Sequence, residues 1–369
     1  MTRSASQRFS VARLALIPAM VFVTSVGLVS SPALAHGGTT FVRQGQSIQA
    51  AIDAARPGDR IVVGRGTYAE QLTVSKDGIE LVGLGASLIP PSSPVVNLCS
   101  GLAGPDTEAG ICVTGADVVL APYVVEHRKV VSVGRRVQNV SIAGFNVRGF
   151  SGENVAVVGA QDARVFANRL TDGAQYGFLT AGSTDTRASA NTVRTSTTLR
   201  FIGICADDVA GTVVSNNHIS GYNIALCVQT PGEAVLNNDV SASCTGVFVD
   251  PGIDGAKIRD NHIKESNPSC RDENAPIFFV LGIVLSGAVN TEVRRNRVDG
   301  QTAGGLPNGF AAGLIVVDDS TTGAAPSGNV VTQNTLSNND LDLFVRNTGT
   351  GNVIKHNKCT TSDPAGLCG

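Results

Sequence analysis

The chain has 369 residues, of which only 16% are charged and 42 are glycine, and its formal net charge is −2. So few charges and so many glycines suit short strands and tight turns rather than long solvated helices. The acidic balance and the lack of any basic run argue against nucleic acid as a partner.

Residues 1–35 read as a secretory signal peptide. Arg3, Arg8 and Arg13 precede the apolar run LALIPAMVFVTSVGLV, which contains Pro18 and ends at the small-residue site PALA. The run is short for a membrane span, and Ala33-x-Ala35 suits signal peptidase. Cleavage before His36 leaves 25 basic and 30 acidic residues, a net charge of −5, on a secreted chain with no stable membrane anchor. In an exported chain the eight cysteines read as disulfides before metal ligands.

Residues 36–60 hold a short helix. In SIQAAIDAA, Ile48, Ala51, Ile52 and Ala55 recur at helical spacing, Ser47 can cap the start, and RPGD ends it. Such a helix plugs the open end of a stacked core.

Residues 61–369 form a repeat array. The pattern V/I-x-x-N-x-V/I/L recurs around Asn168, Asn191, Asn217, Asn238, Asn261, Asn296, Asn334 and Asn357, at spacings of 23, 26, 21, 23, 35, 38 and 23 residues. A Gly-led phrase follows most copies: GFLTA, GICAD, GVFVD, GIVLS, GLIVV. Each repeat therefore holds three short β-rich pieces with no helix between them, which predicts an all-β fold, a single-stranded parallel β-helix with turns ~4.8 Å apart. An Asn at one point of every turn stands over its copy in the next, where its amide can satisfy buried turn backbone.

The opening SIQAAIDAARPGDRIVVGRGTYAEQLTV, followed by N-x-I repeats, resembles right-handed parallel β-helix proteins of the pectin-lyase-like superfamily, over residues 41 to about 358. The resemblance implies the fold and its right hand. It leaves activity open, because that fold carries lyases, hydrolases, esterases, epimerases and non-enzymes. The Gly-His-Gly and Arg-x-Lys of polygalacturonases and the Arg-x-Pro-x-x-Arg of pectate lyases are missing, and VDPGID (249–254) stops at the Asp-Pro of the epimerases' Asp-Pro-His. Trp, the usual sugar-stacking residue, is absent too, leaving Phe and Tyr for that role.

Insertions at 264–279 and 299–312, at one corner of successive turns, either wall a groove beside the Gly-phrase strand or are tolerated surface loops, and another at 320–328 leaves the opposite corner. In the Gly phrase, the second and fourth residues after Gly face outward, and the second is apolar in every copy, so a covering loop is expected there. The fourth-position column contains Asp207, Gln229 and Asp250. Asp207 and Asp250, two turns and ~10 Å apart, suit acid and base roles in glycoside hydrolysis. Asp207, Asp208 and Asp250 as calcium ligands would instead bridge a uronate carboxylate, with Arg200 taking the C5 proton in β-elimination. Ordinary turn aspartates are the alternative. A second outward column, one residue after each Asn, contains His218, Asp239, His262 and Arg297, read as an acid–base or metal group or as a solvated polar face.

Register also restricts the cysteines. Cys205 and Cys227 share an outward position in adjacent turns, and Cys244 and Cys270 meet at one corner. Cys99 and Cys112 bracket a loop, as Cys359 and Cys368 bracket the tail, so the expected pairs are 99–112, 205–227, 244–270 and 359–368. The functional expectation is a secreted protein directed at extracellular polysaccharide, as a lyase or hydrolase. The alternative is a non-catalytic carbohydrate-binding or cell-surface β-helix.

Overall fold

The computed structural model describes residues 37–196 and 199–369; the expected signal peptide and its cleavage point lie outside them. Three long parallel sheets run along the molecule, with twelve, ten and eleven strands. The first spans Thr39–Val42 to Val353–Lys355, the second Gly66–Ala69 to Thr335–Ser337, and the third Leu72–Val74 to Ser362–Asp363. The chain visits each sheet once per turn and pairs with the turn before and the turn after, as the three pieces of the repeat require. Inside, like stacks on like. Ile204, Leu226, Val247, Ile283 and Leu314 form one register column, and all are buried.

Helix Ile48–Ala54 closes one end of this core with Ile48 and Ile52. Both of its ends are bound. Ser47 accepts from the Ala50 N–H, Glu70 accepts from the N–H groups of Ile48 and Gln49, and Lys76 donates to the carbonyls of Ile52, Asp53 and Ala55. An acid at the N-terminus and a base at the C-terminus also match the helix dipole.

The eight asparagines form one continuous ladder. Asn238 is typical: its Nδ2 donates to the Val214 carbonyl (3.0 Å) and to Asn261 Oδ1 (3.0 Å). Its own Oδ1 accepts from the backbone N–H and the Nδ2 of Asn217, both at 3.0 Å. The ladder begins above Phe145, whose N–H donates to Asn168 Oδ1. The residue before each ladder Asn is left-handed, with φ between 53° and 59° at Ala167, Ala190, Asn216, Asn237, Asp260, Arg295, Gln333 and His356. That conformation costs most residue types ~1 kcal/mol, and the bonded amide beside it offsets the cost.

Replacing Asn238 with Ala should therefore destabilise the protein by ~3 kcal/mol or more, since the donors of Asn217 and the Val214 carbonyl would be buried without partners. Asn237→Gly, one residue earlier at φ 54°, should be nearly neutral. Denaturant unfolding of the two variants checks the contrast, and equal losses would mean that the turn rather than the ladder carries the stability.

Candidate functional site

The fourth-position candidates lie on the outer face of the third sheet. Its second-position column runs Leu179, Cys205, Cys227, Phe248, Val284, Ile315 and Phe344, each in register with the next. Cys205 and Cys227 are joined, with Cα atoms 4.5 Å apart, and the remaining cysteines form the pairs 99–112, 244–270 and 359–368. The apolar half of this face around Leu179, Cys205 and Cys227 is covered, as the pattern demanded, but not by the insertions at 264–279 and 299–312. Leu98, Cys99, Leu102 and Ala103 lie on it instead. The two insertions bond to each other through Arg271 with Thr302 and Asn308 with Asp272, and bury Phe278, Val280, Ala303 and Ala311 between them.

A strap crosses the fourth-position column. Strands Ala116–Leu120 and Val130–Arg135 pair as an antiparallel hairpin outside the repeat, and the segment 121–129 between them spans the outer face of the third sheet. Arg128 anchors it by donating to the Leu102 and Ala121 carbonyls. His127 Nε2 lies 2.9 Å from Asp207, and Nδ1 lies 3.2 Å from the Tyr176 hydroxyl. Lys129 reaches Asp207 at 3.1 Å and Gln229 at 2.8 Å. The Gln229 amide then donates to both Glu126 (2.7 Å) and Asp250 (2.8 Å). Asp207 and Asp250 thus belong to one hydrogen-bonded group, joined through Lys129 and Gln229.

Their environments push them apart. Burial raises the Asp207 carboxyl, but the bond from His127 and the charge of Lys129 outweigh it and hold the group below its ordinary range. Burial raises Asp250, and the Glu126 charge adds to it against the Gln229 bond, bringing the group to about 7. One carboxyl is ionised at neutral pH while the other still carries a proton about half the time. Burial, chiefly, also pushes the Tyr176 hydroxyl up, so a protonated phenol lies against His127 Nδ1.

Two expectations need correction. Arg200 opens the strand that Asp207 closes, roughly 23 Å along it at 3.3 Å per residue, so it cannot serve that carboxylate. Lys129 supplies the cation instead. Asp208 lies one residue beyond the end of that strand, with its side chain buried, whereas Asp207 meets the strap. Its buried carboxylate is consumed by Thr180, Thr212 and the Ser183 N–H, so Asp207, Asp208 and Asp250 do not converge on one calcium site. Among the described residues no three His, Cys, Asp or Glu side chains gather as metal ligands. The second column does stack: His218, Asp239, His262 and Arg297 lie in register on the second sheet. Asp239 is held by Lys264 at 2.8 Å, and the His218 side chain is 68% exposed, as a solvated polar face would be.

Glu126, His127 and Lys129 escaped the sequence reading, because they lie in a stretch with no repeat period. Two strand-like runs flanking Pro122 were the only hint of a hairpin. The open half of the face was also missed. There Phe248, Phe279, Phe310 and Phe344 line a groove of ≈ 700 Å³, with Ile277 and Asp318 at its edges. Ring centroids are 6.3 Å apart for Phe279–Phe310 and 5.1 Å for Phe310–Phe344, and the Arg346 guanidinium lies over the Phe344 ring. Phe279 and Phe310 each stand three residues before the glycine of their phrase, a repeat that could have been read.

A single-file coil of three parallel sheets defines a class of protein, and the family comparison agrees. Residues 138–322 match the model of the right handed beta helix region, and the chain belongs to that family. No curated protein sequence matches it. Among solved structures it is similar to the polygalacturonase of Erwinia carotovora ssp. carotovora, at 11% identity over 91% of this chain and 97% of that one, with a TM-score of 0.55. DFA-IIIase from Arthrobacter chlorophenolicus A6 without its lid gives 12% identity, coverage of 82% and 86%, and a TM-score of 0.54. PfbA, a surface adhesin of Streptococcus pneumoniae, gives 11% identity, coverage of 84% and 79%, and a TM-score of 0.53. At such identities the likeness is one of fold.

Glu153, in register with Tyr176, is fully buried, and neither carboxylate oxygen has a partner among the described residues. Burial, with the nearby charge of Glu108, raises it from 4.5 to about 8. Across that window the folded protein holds a proton that the unfolded chain has lost, so stability falls as pH rises. The stability of Glu153→Gln relative to wild type should therefore grow by ~3 kcal/mol between pH 4.5 and 7. Unfolding curves at several pH values test this, and a difference independent of pH would show Glu153 to ionise normally.

Proposed function

We propose that the mature chain is secreted, binds an extracellular polysaccharide along the outer face of the third sheet, and hydrolyses it. The observation that carries this reading is the opposite displacement of the Asp207 and Asp250 carboxyls within one bonded group. Two neighbouring carboxyls driven apart divide naturally into acid and base. Asp250, which retains a proton near neutrality, gives it to the leaving glycosidic oxygen. Asp207, ionised, takes the proton of the attacking water, and their two-turn separation of ~10 Å at the backbone leaves space for that water. Lys129 keeps Asp207 charged, and the phenylalanine groove further along the same face offers sugars a stacking surface. The four disulfides accord with an extracellular setting.

One observation favours a second reading, binding without chemistry. The strap residues already occupy Asp207 and Gln229, whereas the phenylalanine groove is open, with Phe279 51% exposed. A panel of uronate and neutral glycans, incubated with the mature protein with and without calcium, separates the two by following reducing ends and unsaturated products. The expected result is new reducing ends without unsaturation, reduced ~100-fold or more in Asp250→Asn and in Asp207→Asn. Full activity in both variants would overturn the assignment. Binding that is lost in Phe310→Ala, with no turnover of any glycan, would establish the second reading.

A further inference from the structure

The ladder corner of the last turns holds a slot between two rows of cations. There the residues around each ladder Asn stack in three parallel columns: Arg294–Thr332–Lys355, Arg295–Gln333–His356 and Arg297–Thr335–Lys358. In each column a neutral polar residue lies between two basic or imidazole side chains. One row of the slot is therefore Arg294, Arg295 and Arg297, and the other is Lys355, His356 and Lys358. The rows are two turns apart, ~9.6 Å at the backbone. The floor between them is hydroxyl and amide, from Thr332, Gln333, Thr335 and Ser337. The depression beside Arg295, Arg297, Thr335 and Lys358 measures ≈ 530 Å³.

Only part of the charge here is spent internally. Asp260 holds Arg295 through two bonds at 2.7 Å, and Arg294 donates to Gln333 at 2.9 Å. Arg297, Lys355 and Lys358 are exposed and make no ion pair among the described residues. Three cations without ion pairs on a chain of net charge −5 after cleavage make a local excess of positive charge, even with Asp299 bonded to Ser337 and close to Arg297.

We propose that this slot binds a linear acidic polysaccharide, its carboxylates or sulfates meeting the two cation rows and its hydroxyls meeting the polar floor. Arginine provides planar, two-pronged recognition of such anions, and lysine a point charge. Single-stranded nucleic acid is disfavoured because its bases stack on broad aromatic platforms, and among the described residues no Phe or Tyr lines the depression. The site is on the corner between the first and second sheets, away from the outer face of the third, so it stands whether or not that face is catalytic.

Titration calorimetry of the mature protein tests it with three probes of equal charge: a hexauronate, a sulfated hexasaccharide and an oligothymidylate. The expected result is binding of one or both saccharides, weakened by added salt, and reduced about tenfold or more in Arg297→Ala/Lys358→Ala. Binding of only the uronate or only the sulfated probe identifies which anion the slot takes. Both positions are exposed, and an unchanged melting temperature in the double variant confirms intact folding. Made in a Phe310→Ala background, where the groove of the third sheet no longer contributes, the double substitution should cost the same factor. The proposal is overturned if the double variant binds as wild type does, if neither saccharide binds, or if oligothymidylate binds as tightly as either.

Discussion

The stacked amide of the ladder asparagine is the constraint on which this molecule depends. A coil that turns between two sheets must bury polar backbone at the corner, and buried amides without partners cost ~1–3 kcal/mol each. One side chain per turn solves this at every level at once, because its oxygen serves the turn before and its nitrogen reaches both neighbours. With the corner satisfied, the preceding residue is held left-handed and turned to solvent. The sequence at that exposed position is then free to vary, from alanine in the middle turns to arginine and histidine in the last ones. The polar corner is thus both the most restricted and the most adaptable part of the coil.

The repeat made the scaffold legible. Asn238 and Gly246 define where one turn's corner and third strand fall, and the same offsets fix which side of Asp207 or Cys205 faces out. Register alone therefore brought Cys205 to Cys227 and placed Asp207, Gln229 and Asp250 in one column. Legibility stopped where the chain leaves the period. His127 is 80 residues from Asp207 in sequence, and nothing in a column argument links them. Arg200 failed for a related reason: the column specifies a residue's height on the coil, but distance along a strand separates it from Asp207. Asp208 was misjudged because it lies one residue beyond the end of the strand, with its side chain buried.

The outer face of the third sheet shows how an apolar strand surface is divided between stability and exposure. Its first half is sealed by the loop that the Cys99–Cys112 bond closes, with the strap beside it. The second half keeps its phenylalanines accessible, supported by joined insertions that the Cys244–Cys270 bond ties to the body. The polar group of Asp207, Gln229 and Asp250 lies where the two regimes meet. Burial there is enough to move carboxyl protonation, and Lys129 still reaches solvent with half its side chain exposed.

The strap also sets an order of events in folding. Pairing between turns needs only chain segments about one repeat apart, so the coil can grow by addition of successive turns. The bonds of the strap span 80, 100 and 103 residues, from His127 to Asp207, Lys129 to Gln229 and Glu126 to Gln229. None can form until the turn carrying its partner has been laid down. Until then Glu126, His127 and Lys129 at the tip of the strap are without their partners on the third sheet. The acidic cluster is consequently assembled after the coil that supports it, and a chain truncated before Asp207 would retain a coil while never acquiring a site.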